Sequence, residues 1–263
     1  MNFNRITSRE NSLIKLVCNL QSSTKNRAEN GAFVLEGLRI CDDAYNNGIR
    51  FDKLIFSDTA YEKHNKAALI FANNSNECFI IPDSLFNKIS DTTNPQGIIA
   101  VCKREEVKTG DISKNGVYVA LENIADPSNL GAVSRTAEAI GVNGIIFAGN
   151  GCDPFSPKAL RASMGTILRI PIWFCNNVTD FARKNGLTTF ACVVDDTVQS
   201  ITNVSFPKGS VVIIGNEANG ITDYTKQNAD KNITIPMSGR AESLNASVAA
   251  SIAMWEMVRK SGK

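Results

Sequence analysis

Four apolar residues in succession, Val211-Val212-Ile213-Ile214, break at once into Gly215-Asn216-Glu217-Ala218-Asn219-Gly220. No other stretch constrains the chain as much. A second run, Ile233-Thr234-Ile235-Pro236, breaks into a polar segment from Met237 to Asn245. A strand that is apolar at every position has no face to offer water, so both faces must be covered, as in the parallel sheets of α/β proteins. The loops that follow such strands line the ligand crevice of these folds. Two consecutive loops rich in Gly, Asn, Ser and Glu therefore predict a concave polar site. A third loop, Asp195-Asp196 after the run Thr189 to Val194, is expected to join them. The plain alternative is a set of ordinary strand-to-helix turns.

The same alternation runs through the whole chain. Leu13, Leu16, Val17 and Leu20 fall at helical spacing and predict a helix over 8–21 with Ser8 as its cap, then a polar connector over 22–31. Strands are predicted at 32–35, 53–56, 78–81 and 97–102, with helices at 39–47, 61–73 and 84–90. Residues 103–116, charged and Gly-containing, read as a linker. Beyond it, strands are predicted at 117–121, 144–148 and 168–173, followed by the three runs described above. Helices are predicted there at 129–140, 158–164, 178–185 and 244–260. The expected fold is α/β in two domains, 1–105 and 116–263, each with a mainly parallel sheet. A length of 263 residues agrees with two domains at roughly 150 residues each. In the last helix Leu244, Val248, Ile252 and Trp255 share one stripe, and Met254 and Trp255 are expected in the core or a subunit contact.

Composition excludes several classes. With 43% apolar and 21% charged residues the chain is an ordinary globular one. No apolar run approaches the ~18 residues of a membrane span. The opening Met1 to Ile6 lacks the apolar core of a secretion signal, so a cytoplasmic location is expected. Seven cysteines are present with no C-x-x-C pair, and Cys102 and Cys192 sit inside apolar runs. Neither disulfides nor a metal site is expected. The sole histidine, His64, lies in a polar predicted helix far from the loops, which disfavours schemes built on a histidine base. A net charge of +2 does not announce a nucleic-acid partner, though a local basic patch is compatible with it.

The helix after the first strand of the second block opens Asp126-Pro127-Ser128-Asn129-Leu130-Gly131 and continues to Arg135. Asn129 is a candidate cap at its mouth. Gly131 admits a close approach by another backbone or a ligand. Arg135 offers a planar fork of donors suited to phosphate or a developing oxyanion. Alone, Asn-x-Gly-x-x-x-Arg is a weak signal, and a capped helix with a surface Arg satisfies it equally.

Taken in order, three segments carry more weight together. Asn129-Gly131-Arg135-Ala137-Gly141, Gly215 to Gly220, and Ile235-Pro236-Met237 with Ser243-Leu244-Asn245 resemble the signature motifs of the SpoU family. These are the RNA ribose 2′-O-methyltransferases of the SPOUT superfamily. The resemblance runs from Val117 to the end and includes Ser163-Met164-Gly165 and Arg169-Ile170-Pro171 between motifs. Phe33-Val34-Leu35-Glu36-Gly37 and Pro95-Gln96-Gly97-Ile98 resemble the substrate-binding domain of the ribosomal-RNA branch, which is related to the L30e fold. One departure is Ala218, where many members carry a second Gly, so a slightly different turn is expected.

The resemblance implies an L30e-like α/β domain followed by a SPOUT domain whose deep trefoil knot binds S-adenosylmethionine. Topology rules by themselves would argue against a knot. It also implies a homodimer acting on RNA, with ribosomal RNA favoured and transfer RNA as the alternative. The implied cofactor positions are Gly215, Ile235 and Leu244, with Val194, Asn216 and Met237 beside them. The implied catalytic group is Arg135 with Asn129, Glu217, Ser243 and Asn245. The reaction moves a methyl group from a sulfonium to the ribose 2′-OH that distinguishes RNA from DNA. Holding the reacting atoms in line contributes roughly 7–11 kcal/mol. The family's motif Arg is often assigned as the base, but a guanidinium with a pKa above ~12 accepts protons poorly. Arg135 is read here as orienting the ribose and stabilising the incipient alkoxide. Glu217 has an alternative reading as a cap on the helix after Gly220. Two rivals are an RNA-binding or ribosome-assembly factor with no cofactor and a nucleotide-dependent oxidoreductase. The intact Arg135, Glu217 and Asn245 disfavour the first. The absence of G-x-G-x-x-G after the first strand of either block disfavours the second.

Overall fold

A computed structural model describes residues 3–107 and 109–261. It divides into two units, Met1–Val107 with Phe155–Arg161, and Lys108–Pro154 with Ala162–Lys263. In the first unit, β1 (Phe3–Arg5), β2 (Ala32–Glu36), β3 (Phe51–Ser57), β4 (Ser75–Ile81) and β5 (Ile98–Lys103) form a sheet in the order β1-β4-β3-β5-β2. Its helices are α1 (Ser12–Ser22), α2 (Thr24–Asn30), α3 (Leu38–Asn46), α4 (Asp58–Lys63), α5 (Asn65–Ala72) and α6 (Asp83–Ile89). Leu13, Ile14, Val17 and Leu20 of α1 and Leu85, Phe86 and Ile89 of α6 bury against Ile55, Ile99 and Val101 of the sheet.

Four expectations for this unit need correction. The sheet is mixed, because β5 runs antiparallel to both β2 and β3 while β4 is parallel to β1 and β3. Strand-helix alternation says nothing of direction, and residues 90–97 between α6 and β5 give the chain room to return. Asn11, not Ser8, caps α1 by accepting from the Leu13 N–H at 2.9 Å, while Ser8 is occupied by the Glu10 N–H in a local turn. The supposed connector 22–31 holds α2, capped by Ser23 and ended at Gly31 with φ +56°. Its buried Arg27 donates to the carbonyls of Leu20 (2.6 Å) and Gln21 (3.2 Å). This guanidinium satisfies carbonyls that the end of α1 leaves open. The predicted helix 61–73 is two helices broken at His64, whose φ of −114° and ψ of 32° are not helical.

The segment 155–161 contributes to this unit although its sequence neighbours belong to the other. Phe155 stacks on Phe33 with ring centroids 4.9 Å apart, and the Arg104 guanidinium lies 4.9 Å over the Phe155 ring. Ala159 and Leu160 are buried, and Arg161 pairs with Asp91 at 2.6 Å.

The second unit contains β6 (Val117–Glu122), α7 (Pro127–Ala139) and β7 (Gly144–Ala148). After α8 (Pro157–Ala162) come β8 (Ile172–Cys175), α9 (Val178–Lys184), β9 (Thr188–Cys192), β10 (Gln199–Ser200) and β11 (Ser210–Ile214). The chain then runs through α10 (Asp223–Asn228), β12 (Lys231–Thr234) and α11 (Ala246–Lys260). The sheet order is β10-β12-β9-β11-β6-β7-β8, with every pairing parallel. β6, β7 and β11 are buried at every position, as two covered faces require.

The predicted strand 168–173 starts only at Ile172. Residues 166–168 form a 3-10 turn, and Arg169 makes a bidentate pair with Glu138 at 2.5 and 2.7 Å. In α11 the buried face is Ala246, Ala250, Ala253, Met254 and Met257. Val248 and Trp255 of the predicted stripe are 46% and 55% exposed, so Trp255 is not in this chain's core. Among the described residues, no helix is long and apolar enough to cross a membrane.

Buried Glu122, at the end of β6, accepts from the Thr222 N–H (2.8 Å), the Thr222 hydroxyl (3.1 Å) and the Thr225 hydroxyl (2.6 Å). It fastens the first turn of α10 to the sheet. Glu122→Ala would leave the buried Thr225 hydroxyl short of a partner. A loss of roughly 2–4 kcal/mol in urea unfolding is expected, with a smaller loss for Glu122→Gln.

Candidate active site

A cleft of about 400 Å³ opens at the C-terminal ends of β9, β11 and β12. That volume lies within the roughly 300–1,000 Å³ of small-molecule sites. Val194, Gly215, Asn216, Ile235, Met237 and Leu244 all line it, and so do Glu217 and Ser243. The three runs that opened the reading of the sequence therefore deliver their loops to one place.

Gly215 is required by close approach, since a Cβ there would come within 2.1 Å of the Gly220 carbonyl carbon. The loop closes on itself through reciprocal backbone hydrogen bonds between Asn216 and Gly220, each 2.9 Å. Asn216 accepts from the Ala218 and Asn219 N–H groups and donates to the Asn123 carbonyl at 2.8 Å. Gly220 adopts φ +67°, whereas Ala218 has no positive φ, so the turn makes no demand for glycine at 218. Asn123 itself sits at φ +55°, a region Asn tolerates better than most residues, and its side chain accepts from the Asn150 N–H at 2.8 Å. It joins the loops after β6, β7 and β11, and its sequence alone gave no sign of this.

A hydrogen-bond chain leads from the cleft-lining Glu217 to the other two motifs. Glu217 accepts from the Asn129 side chain (2.8 Å) and from the N–H groups of Ala125 (3.1 Å) and Asp126 (3.3 Å). The Asn129 side-chain oxygen accepts in turn from Asn245 at 3.0 Å. Two expected caps are thereby corrected. Asp126 caps α7, accepting from the Ser128 N–H with Pro127 at the first position, so Asn129 is free to bridge the other two motifs. Thr222 caps α10, and Glu217 serves the entrance of α7 instead. Gly131 answers to packing: a Cβ there would lie 2.5 Å from the Ala162 carbonyl carbon.

Burial works to raise the Glu217 pKa. The donors from Asn129, Ala125 and Asp126 outweigh it and hold the carboxyl below its ordinary value. An anchored carboxylate of this kind is a poor proton acceptor and a good tether. Burial, reinforced by the carboxylates of Glu217 and Asp126, pushes the nearby Cys152 thiol up to about 12 and makes it an unsuitable nucleophile.

Arg135 is exposed on α7, does not line the cleft, and has no hydrogen-bond or ion-pair partner among the described residues. Two lining residues had escaped notice, Asp223 and Lys226 of α10, with Lys226 paired to Asp195 at 3.7 Å. Their spacing of three on a helix is too common to stand out in a sequence. Among the described residues, no cluster of His, Cys, Asp and Glu is placed to hold a metal ion.

Residues 116–255 match the SpoU rRNA Methylase family, and residues 11–100 match an MRM3-like substrate binding domain. The chain belongs to the SpoU family. This SpoU methylase is 30% identical to an uncharacterised tRNA/rRNA methyltransferase of Synechocystis, over 97% of this chain and 93% of the other. It is 26% identical to the 23S rRNA (guanosine(2553)-2′-O)-methyltransferase RlmP of Bacillus subtilis, over 89% and 91% of the two chains. The crystal structure of an AdoMet-bound rRNA methyltransferase from Sinorhizobium meliloti superposes with a TM-score of 0.85 at 29% identity, covering 98% of both chains.

Because folding lowers the Glu217 pKa, its stabilising contribution is complete above the unfolded value of about 4.3 and is lost as pH falls through the folded value. In the SpoU methylase, Glu217→Gln should lower the urea midpoint by a constant amount from pH 7 to about 5. The difference between the two proteins should then close at lower pH. A gap that persists unchanged below pH ~3 would contradict the tethering role.

Proposed function

We propose that this RNA methyltransferase acts in the cytoplasm as a homodimer. It methylates a ribose 2′-OH of ribosomal RNA, in the 23S molecule, from S-adenosylmethionine held in a knotted cleft. The observation that carries this reading is the chain Asn245–Asn129–Glu217, which ties the three motifs together beside the cleft that Glu217 lines. The residues fit the cofactor: Gly215 leaves room that a side chain would fill, and the aliphatic groups of Val194, Ile235 and Leu244 suit an adenine ring. The exposed apolar Val194 gains cover when the cleft is occupied. S-adenosylmethionine supplies a methyl group on a positively charged sulfur. The parallel order β12-β9-β11-β6 brings the loops after three strands to one cleft, which is compatible with a knotted cofactor site.

The protein's own part is to place the ribose oxygen opposite that methyl group and to stabilise its emerging charge. Arg135 is the group for the second task, with Ser243 at the cleft and Asn129, Glu217 and Asn245 positioning the loops. Within one chain Arg135 lies outside the cleft. It shares α7 with Thr136, whose hydroxyl accepts from Ser251 of α11 at 3.3 Å, and α11 presents exposed Val248 and Trp255. A second copy seated on this apolar face would cover it and carry Arg135 to its partner's cleft. The first unit is read as the RNA-binding domain, from its family match and from the meeting of its two motifs. Gln96 accepts from the Leu38 N–H at 2.7 Å, and the Gly37 N–H donates to Ile98 at 2.9 Å. The ribosomal-RNA reading draws on the similarity to RlmP, and transfer RNA is the alternative substrate.

Arg135→Ala should slow single-turnover methylation by about 100-fold or more while leaving the calorimetric Kd for S-adenosylmethionine within about threefold. Mixed dimers of Arg135→Ala and Gly215→Val chains should regain activity that neither variant shows alone. No recovery would place Arg135 in its own chain's site. Trp255→Glu should shift the sedimenting species to a monomer. Mass-spectrometric mapping of 2′-O-methyl groups in total RNA, with and without the gene, decides the substrate. A missing methyl group in transfer RNA would overturn the ribosomal reading, and a protein that gives no heat with S-adenosylmethionine would be a non-catalytic binder.

A further inference from the structure

α10 is a short helix with an unusually firm footing. Buried Glu122 holds its first turn through Thr222 and Thr225, so the backbone that carries its cleft-lining residues is fixed in place. Those residues are Asp223 and Lys226, three residues apart. Lys226 is the only cation among the described lining residues, and Asp223 is a carboxylate with no partner among them. The remaining lining carboxylate, Glu217, is committed to Asn129, Ala125 and Asp126. Everything else in the cleft is backbone, aliphatic or neutral. Outside the cleft lining, Asp195 is held by the Thr197 hydroxyl (2.6 Å) and N–H (3.0 Å) and faces Lys226 at 3.7 Å. Lys226 is about half exposed, so this long ion pair is a weak one, easily exchanged for another carboxylate.

We infer that Lys226 and Asp223 are the receptor for the amino-acid end of the cofactor. Lys226 leaves Asp195 to take the cofactor's carboxylate, and Asp223 takes its ammonium group. The inference rests on the cofactor reading above. A zwitterion needs one cation and one anion close together, and among the described lining residues α10 carries the one such set, an exchangeable Lys226 and Asp223. Asp195 then acts as a stand-in anion that keeps Lys226 over the cleft when no cofactor is bound.

Two nucleosides separate this role from general damage. S-adenosylhomocysteine carries the amino-acid end, whereas 5′-methylthioadenosine has the same adenosine and thioether without it. By calorimetry on the full-length protein, Lys226→Ala should weaken S-adenosylhomocysteine about tenfold and leave 5′-methylthioadenosine unchanged, with partial rescue by Lys226→Arg. Asp195→Asn should tighten S-adenosylhomocysteine by up to about fivefold, again without effect on 5′-methylthioadenosine. Equal losses for both nucleosides, or no change for either, would overturn the assignment while leaving the cofactor site standing. A Lys226→Ala protein that loses RNA affinity alone would also overturn it and give Lys226 to the RNA. A wild-type protein that binds neither nucleoside would instead remove the reading beneath it.

Discussion

A single amide, the side chain of Asn129, carries the architecture of the candidate active site. Its nitrogen donates to Glu217 and its oxygen accepts from Asn245, so both ends of the group are spoken for and its orientation is fixed. The partners lie 88 and 116 residues away in sequence. Three loops that would otherwise each sample their own conformations are therefore held as one object, and the ordering entropy of the loops is offset where it matters for binding. Glu217 extends the arrangement by accepting from the backbone just ahead of α7, where the positive end of the helix dipole also favours a carboxylate.

Holding the loops so close has consequences for packing. Gly215 permits the return of the loop at Gly220, and Gly131 permits α7 to meet the backbone at Ala162. On the far side, α11 lies against β11, β6 and α7 through alanines and two methionines rather than through large residues. Ala246 and Ala249 of that helix reach the cleft, so the packing that brings α11 close also forms part of the cleft wall. A larger residue at either would trade cofactor space for core volume, since interiors of this kind have little slack.

The sequence was most informative where every position of an element obeys one physical demand. β6, β7 and β11 are buried at every position and almost wholly apolar, and that near-uniformity revealed both the strands and their parallel pairing. All six residues expected at the cofactor site line the cleft, Gly215 and Asn216 directly after β11 and the others on the chain that leaves β9 and β12. Legibility failed where the deciding partner is distant. Ser8 and Asn11 are equally good caps on paper, and only the competing local turn separates them. The polar stretch 22–31 looked like a connector because the buried contact of Arg27 with carbonyls of α1 has no signature in composition. The direction of β5 depends on how its connection travels, and strand-helix alternation is silent about that. The apolar stripe of α11 misled for a different reason: Val248 and Trp255 obey helical periodicity but face outward.

That outward face bears on how the chemistry is divided. Within one chain the cleft holds cofactor-sized space and a locked set of polar loops, yet among the described residues its lining includes no guanidinium, and its one cation is Lys226. An alkoxide developing on a ribose needs a donor with a permanent charge close by, and the tethered Glu217 has the opposite sign. Arg135, exposed on α7 and without a partner among the described residues, has the right chemistry in a place outside its own chain's cleft. In the dimeric reading these facts belong together. On that reading the features proposed to hold the cofactor are intrachain, built from glycine, backbone and short polar bridges, and so would be set by folding. The charge proposed to complete the site would arrive only with the second copy. Cofactor binding and methyl transfer would then respond to different perturbations, the first to packing around Gly215 and α11, the second to the association of subunits. A chain that folds well but fails to associate would retain the cleft and lose the chemistry.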